Sequence, residues 1–243
     1  MSTSPVTWPP APDWRAWRHV TKLDPERPLT PAALEAVYAS GTDAIVLGGS
    51  TGMTQQAVLD LLSRLADAPV PVALEVSTLE SAVPGPALFL IPLVMNASDS
   101  RWLGGAQAEA LARLLPVVGE YIPWELLLPE AYLVLNPDCT AARLTGARTD
   151  LAPEDAAGWA ALAGQVLRLP VIYVEYSGAF GDMALLQAVR ENAGPAHVVY
   201  GGGIRSGREA GLAARHAHTI VVGNLVYEAP ERLRETVEAA HGN

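Results

Sequence analysis

The sequence predicts an α/β chain closed into a single (β/α)₈ TIM barrel, and three observations carry that expectation. Short aliphatic and β-branched runs, each ending in Gly, Pro, Asn, Asp or Ser, recur eight times along the 243 residues. Ala- and Leu-rich stretches with helical spacing lie between most of them. The runs are apolar almost throughout, which marks strands covered on both faces, as in parallel sheets built from βα units. The 20 Pro and 21 Gly supply the punctuation that so many short elements need. Eight units in roughly 200–250 residues fit one barrel domain; an open doubly wound sheet is the alternative.

In chain order, residues 1–13 read as an N-terminal extension and 14–243 as the barrel. Strand one is expected at 19–24, followed by a helix at 31–40 that opens on Thr30-Pro31, where Pro suits a first helical turn. Strands two and three, at 44–50 and 72–77, flank a helix at 55–66. The third connection, 78–87, is short and carries Pro84 and Pro86, so its helix should be replaced by an irregular segment that leaves one flank of the barrel open. Strand four (88–96) leads to a helix at 106–118, and strand five (132–136) to one at 153–167. Strands six, seven and eight follow at 171–177, 197–202 and 219–224, with helices at 183–192, 208–215 and 230–240. Trp8, Trp14 and Trp17 are expected to close the barrel or to pack the N-terminal segment.

Composition narrows the function. Sixteen Lys and Arg against 26 Asp and Glu give a net charge of −10, which excludes a general nucleic-acid binder. A phosphorylated substrate stays open, because backbone N–H groups, one or two cations and a metal hold anions locally. Cys139 is the single cysteine, so neither a disulfide framework nor a cysteine-based zinc site exists within one chain. The start of the sequence does not read as a signal peptide, and no run reaches the length of a membrane span. The expected location is the cytoplasm.

Barrel enzymes carry their reacting groups at the C-terminal ends of the strands. There the sequence places Lys22 and Asp24, Gly48 to Ser50, Glu75 to Ser77, Tyr173 to Gly178, Tyr200 to Ile204, and Val222 to Asn224. Glycines after strands seven and eight (Gly201, Gly202, Gly203, Gly223, with Asn224) let backbone N–H groups turn toward an anion and point to a phosphate site. Lys22 and Asp24 lie two apart on one strand and share the face toward the mouth. They are either a salt bridge or a phosphate-binding lysine beside a magnesium carboxylate. Glu175 is either a general base or an ion-pair partner of Lys22 or Arg205.

Those residues resemble the geranylgeranylglyceryl and heptaprenylglyceryl phosphate synthases, prenyltransferases of the (β/α)₈ class. The resemblance runs from Trp17 to Tyr227. It rests on His19-Val-Thr-Lys-Leu-Asp-Pro25, Gly48-Gly-Ser-Thr-Gly52, Leu74-Glu-Val-Ser77, Ile91-Pro-Leu-Val-Met-Asn96, Asn136-Pro-Asp-Cys139, Tyr173-Val-Glu-Tyr-Ser-Gly178, Tyr200-Gly-Gly-Gly-Ile204 and Val221-Val-Gly-Asn224. It implies transfer of a polyprenyl group from its diphosphate to sn-glycerol 1-phosphate, with Mg²⁺ as cofactor and diphosphate as product. Carried over residue by residue, it assigns Lys22, Tyr173, Val174, Glu175, Tyr176, Ser177, Gly178, Gly203, Gly223 and Asn224 to glycerol phosphate. Asp24 and Ser50 match the magnesium ligands, and Glu175 the carboxylate that orients or deprotonates the attacking hydroxyl. A groove for the prenyl chain is expected past Leu79, Val83, Val94 and Leu103, with Ala110 leaving space for a chain longer than geranylgeranyl. Two departures stand out: the stretch Gly119 to Pro129 is longer than the family usually has, and Gln107 replaces a common histidine. A homodimer or larger homo-oligomer is expected, touching a membrane surface only transiently. The alternatives are another phosphate-binding barrel, of sugar-phosphate isomerase or aldolase type, and a non-catalytic isoprenoid-binding barrel.

Overall fold

The computed structural model describes residues 8–49 and 53–242. Eight parallel strands form it: β1 (His19–Leu23), β2 (Ala44–Leu47), β3 (Val72–Glu75), β4 (Leu88–Val94), β5 (Leu127–Val134), β6 (Val171–Glu175), β7 (His197–Gly201) and β8 (Thr219–Val222). Each strand pairs with the next, and β8 returns to β1 through His19↔Ile220, which closes the barrel and removes both sheet edges. The open-sheet alternative is thereby excluded.

The helices are α1 (Pro31–Ser40), α2 (Gln55–Arg64), α3 (Gly105–Val118), α4 (Thr140–Thr145), α5 (Pro153–Ala161), α6 (Met183–Asn192), α7 (Gly207–Ala214), α8 (Leu225–Glu228) and α9 (Leu233–His241). At α1 the Thr30 hydroxyl accepts from the Ala33 N–H, Pro31 occupies the first turn, and Gly41 ends the helix with φ 83°. Between β3 and β4 there is one 3₁₀ turn, Leu79–Ser81, and no α-helix, as the short proline-bearing connection requires. No helix among the described residues is long and apolar enough to cross a membrane.

Three segments differ from expectation. β5 begins at Leu127, five residues before the apolar run at 132, because the 119–129 stretch supplies two 3₁₀ turns (Gly119–Tyr121 and Trp124–Leu126) and then Leu127 to Pro129 as strand. α4 went unread; six residues are too few for a 3.6-residue period to register. The helix at 153–167 is real but passes into a π turn at Leu162–Val166, where a β-carbon on Gly164 would lie 2.0 Å from the Ala193 carbonyl oxygen.

Side-chain alternation splits the strands into two packed layers. One set, with Val20, Val46, Leu90, Val94, Leu128, Val171, Val199 and Val221, fills the barrel interior. The other, with Leu23, Ile45, Leu74, Phe89, Leu133, Ile172 and Tyr200, packs under the helices. Trp14 and Trp17 close the lower end against the interior set, and Trp8 lies against the outer one. Buried histidines hold this lower end. His19 links Thr42 (2.9 Å) to Thr236 (3.0 Å), while His197 bonds Thr219 (2.7 Å) beneath Trp14.

Burial pushes both rings down to about 3, with nearby Asp43 opposing the shift at His19 and His218 reinforcing it at His197. A folded-state value below the unfolded one near 6.5 means that each ring stabilises the fold above that pH and withdraws its share as pH falls below it. The withdrawal is about 1.4 kcal/mol per pH unit for each ring. We predict that the His19 and His197 ring resonances stay at neutral-imidazole positions down to pH 5. We also predict that His197→Phe flattens the fall in unfolding free energy between pH 6.5 and 5 by about 2 kcal/mol.

Candidate active site

The C-terminal ends of the strands surround a cavity of about 340 Å³. Of the residues assigned to it from sequence, Lys22, Asp24, Tyr173, Glu175, Ser177, Gly178, Gly203, Gly223 and Asn224 all line it. Gly203, with φ 59°, lies so close beneath the β6 loop that a β-carbon would meet Ala179 and Phe180 backbone at 2.2 Å. The tips of β6 and β7 therefore fit together as backbone against backbone, which only glycine allows.

Val174 and Tyr176 do not line the cavity. Strand alternation puts Val174 under the helices, fully buried in the outer layer. Tyr176 turns its ring outward to Tyr200, 6.2 Å between centroids, so these two residues offer the site backbone atoms at most. Ser50 lies outside the described residues.

Beneath the mouth is a buried polar layer that was only partly foreseen. Lys22 does not pair with Asp24; its Nζ donates to both carboxylate oxygens of Glu75, at 3.0 and 2.9 Å. The Tyr132 hydroxyl donates to Glu75 Oε2, and the Tyr132 ring stacks on Tyr173 at 4.3 Å. Burial alone would lower the Lys22 pKa, but Glu75 and then Glu175 more than reverse this and hold the ammonium above its usual range. Gly48 makes the crossing possible, because a β-carbon there would stand 2.8 Å from Lys22 Cε and 3.1 Å from Glu75 Cβ. Glu130 is also buried inside the barrel, with Oε2 lacking a hydrogen-bond partner. Burial, helped by Glu75, pushes its carboxyl well above the carboxylate range. The sequence signal for Glu75 and Glu130 is a lone acid within an apolar strand, a placement that is costly without a partner or a use.

Glu175 is buried at the cavity floor, its Oε1 accepting from the Ser177 N–H and, at 3.0 Å, from the Ser177 hydroxyl. It is not Arg205's partner, since Arg205 pairs with Glu228 at 3.1 Å. Burial raises the Glu175 pKa, while Lys22 and the Ser177 N–H pull it back part of the way. A carboxylate so placed is a stronger base than one in water. The Tyr173 hydroxyl beside it is buried without a hydrogen-bond partner.

Asp24 stands at the rim. Its Oδ1 accepts from the Glu26 N–H (3.0 Å), its own N–H donates to the Tyr227 hydroxyl (2.9 Å), and among the described residues it makes no ion pair. The carboxylate faces Gly49, where a β-carbon would sit 3.0 Å from Oδ1. One open carboxylate against a bare backbone fits Mg²⁺, which takes few protein ligands and completes its shell with substrate phosphate oxygens and water.

The five groove positions do not share one surface. Val94 points into the barrel, Val83 is buried in the outer layer, and Leu79, Leu103 and Ala110 keep partial exposure. On β4 the residues that face the missing helix are Ile91 and Leu93, both only partly buried. Gln107 of α3 donates to the Pro92 carbonyl at 2.7 Å, tying that helix to the same strand.

A sequence model of the PcrB family matches residues 12–241. The heptaprenylglyceryl phosphate synthase of Brevibacillus brevis is 42% identical over 230 residues, covering 95% of this chain and 98% of that one. That of Geobacillus kaustophilus is 42% identical over 225 residues, covering 93% and 92%. Among solved structures, (S)-3-O-geranylgeranylglyceryl phosphate synthase from Thermoplasma acidophilum, in complex with its substrate sn-glycerol-1-phosphate, superposes with a TM-score of 0.79 at 27% identity over 93% of both chains. With the family pattern spanning nearly the whole barrel, and relatives above 40% identity along it, the chain belongs to the PcrB family.

Proposed function

We propose that this protein transfers a polyprenyl group from its diphosphate to a hydroxyl of sn-glycerol 1-phosphate. The observation that carries the reading is Glu175, held by Ser177 on the cavity floor and ringed by the tips of β6, β7 and β8. In this reading the phosphate of the acceptor rests on Gly178, Gly203, Gly223 and Asn224, which offer N–H groups and leave no side-chain obstruction. Glu175 takes the hydroxyl proton as the acceptor oxygen bonds to the allylic carbon, and the bond from that carbon to the diphosphate oxygen breaks. Asp24, with Ser50 as the second expected ligand, would hold Mg²⁺, which when bound neutralises charge on the departing diphosphate. Lys22 adds a fixed positive charge at the cavity floor, kept in place by Glu75. The donor's isoprenoid chain is assigned to the flank at Ile91, Leu93 and Leu79, since each buried CH₂ is worth about 0.8 kcal/mol.

The aldolase alternative requires Lys22, the chain's single lysine, as a free amine. Its two bonds to Glu75 keep it an ammonium, which counts against Schiff-base chemistry. A homo-oligomer is also inferred. α3 has no buried residue, and its Leu115 and Val117, with Trp124 after it, are exposed, apolar surface that a second copy would cover.

Purified protein given Mg²⁺, sn-glycerol 1-phosphate and a series of polyprenyl diphosphates should yield the ether-linked prenylglyceryl phosphate, read by mass spectrometry; no product with any donor overturns the reading. Glu175→Gln should lower kcat roughly 10²- to 10⁴-fold, with KM for either substrate little changed. Asp24→Ala should abolish the response of the rate to Mg²⁺. Replacing Glu75 tests the buried pair instead of the chemistry. Glu75→Ala leaves Lys22 without its counter-charge and should cost about 3 kcal/mol of unfolding free energy in urea titrations, while Glu75→Gln, which keeps one acceptor for Lys22, should cost less.

A further inference from the structure

We propose that Arg27 is a binding residue for the acceptor's phosphate, gripping it from the β1 side of the mouth against Asn224 and Gly178. Arg27 lines the cavity, its guanidinium carbon 3.8 Å over the centre of the Tyr227 ring and Nη1 donating to Asn224 Oδ1 at 2.8 Å. Two cations line this cavity among the described residues, Lys22 and Arg27, and they are in opposite states. Lys22 is committed to both oxygens of Glu75. Among the described residues Arg27 has no carboxylate partner; what holds its side chain is an amide oxygen and a ring, both neutral. Among the described residues one of its five N–H donors is used, which leaves its charge and the other donors for an anion.

The placement is also preset. The Arg27 N–H bonds the Asp24 carbonyl at 3.1 Å, fixing the turn that carries both residues, and contact with the Tyr227 ring holds the guanidinium beside β8. Because Arg27 occupies Asn224 Oδ1, the Asn224 amide nitrogen is turned to the β6 tip, 3.9 Å from where a β-carbon on Gly178 would stand. Guanidinium, amide and glycine backbone thus converge, a donor set suited to the oxygens of a phosphate monoester.

Two phosphate-bearing groups belong to the proposed reaction, and the geometry separates them. The turn directs Asp24 toward Gly49 on the β2 side and Arg27 toward Asn224 on the β8 side. The metal-bound diphosphate belongs with the first and the acceptor's monophosphate with the second. The inference rests on the reaction proposed above, so its test must separate failure of one from failure of the other.

Steady-state kinetics of the wild type, Arg27→Ala and Arg27→Lys provide that test. Arg27→Ala should raise KM for sn-glycerol 1-phosphate roughly 10- to 100-fold, the loss expected for a charge-assisted contact, with KM for the prenyl diphosphate changed by less than about twofold. Arg27→Lys, a point charge without the fork, should recover part of the loss. A rise confined to the donor's KM, or no change in either, overturns the assignment. If the wild type makes no ether product, the reaction has failed, and calorimetry with inorganic phosphate still decides Arg27. Binding by the wild type that is lost in Arg27→Ala supports it, and equal binding or none overturns it. Should Arg27→Ala fold poorly by thermal unfolding, Arg27→Gln, which keeps most of the stem over Tyr227, replaces it.

Discussion

Charge inside a closed barrel has to be balanced within the barrel, and the contact between Lys22 and Glu75 is where this protein does so. Closing eight strands drives every second side chain into a space without bulk water, where an unpaired ammonium or carboxylate costs several kcal/mol. Lys22 and Glu75 cancel at 2.9 Å, Tyr132 supplies a further donor to Glu75, and burial pushes the Glu130 carboxyl well above the carboxylate range. Glu175 can then hold a raised pKa without becoming a fourth competing charge, because Lys22 is close enough to temper it and too occupied to neutralise it. The candidate base depends on a pair one layer below it.

Space for that layer is made by glycines on neighbouring strands. Gly48 gives way to the Lys22–Glu75 crossing, and Gly49 to the Asp24 carboxylate. Glycine at a strand tip therefore has a task besides opening backbone to phosphate, that of admitting the interior charges. This accounts for glycine at the tip of β2, where no phosphate had been expected.

Much of the architecture was legible because its causes are local. Apolar runs bounded by Gly and Pro gave all eight strands, and two prolines in a short connection gave the missing third helix. The strand-end rule and the family resemblance together brought nine of the expected cavity residues to one place. What escaped has physical reasons. Val174, Tyr176 and Val94 were assigned by position along a motif, but a strand alternates, and these three face away from where function was expected. Glu75 is on β3 while Tyr132 and Glu130 are on β5, so their meeting is a matter of barrel register, which one sequence does not display. Arg27 lies in the loop four residues past β1, outside the strand-end positions singled out from sequence. Its role emerges only when β8 closes onto β1 and brings Asn224 and Tyr227 beside it.

The net charge of −10 acquires a local meaning from these placements. Carboxylates spread over the surface act through water and are screened within about 8–10 Å. An anion in the cavity senses mainly what lines it: glycine-rich backbone at four strand tips, the carboxylates of Asp24, Asp138 and Glu175, Lys22 with its charge already matched, and Arg27 with its charge unmatched. The acidic surface then helps discriminate. Anions without a partner are repelled on approach, and polyanions such as nucleic acid find no basic track to follow. A small phosphate ester that reaches the mouth meets a guanidinium already stacked and oriented, so little side-chain freedom remains to be lost on binding. An acidic chain can in this way serve phosphate substrates with two of its 16 Lys and Arg residues at the barrel mouth, Lys22 paired and Arg27 aimed.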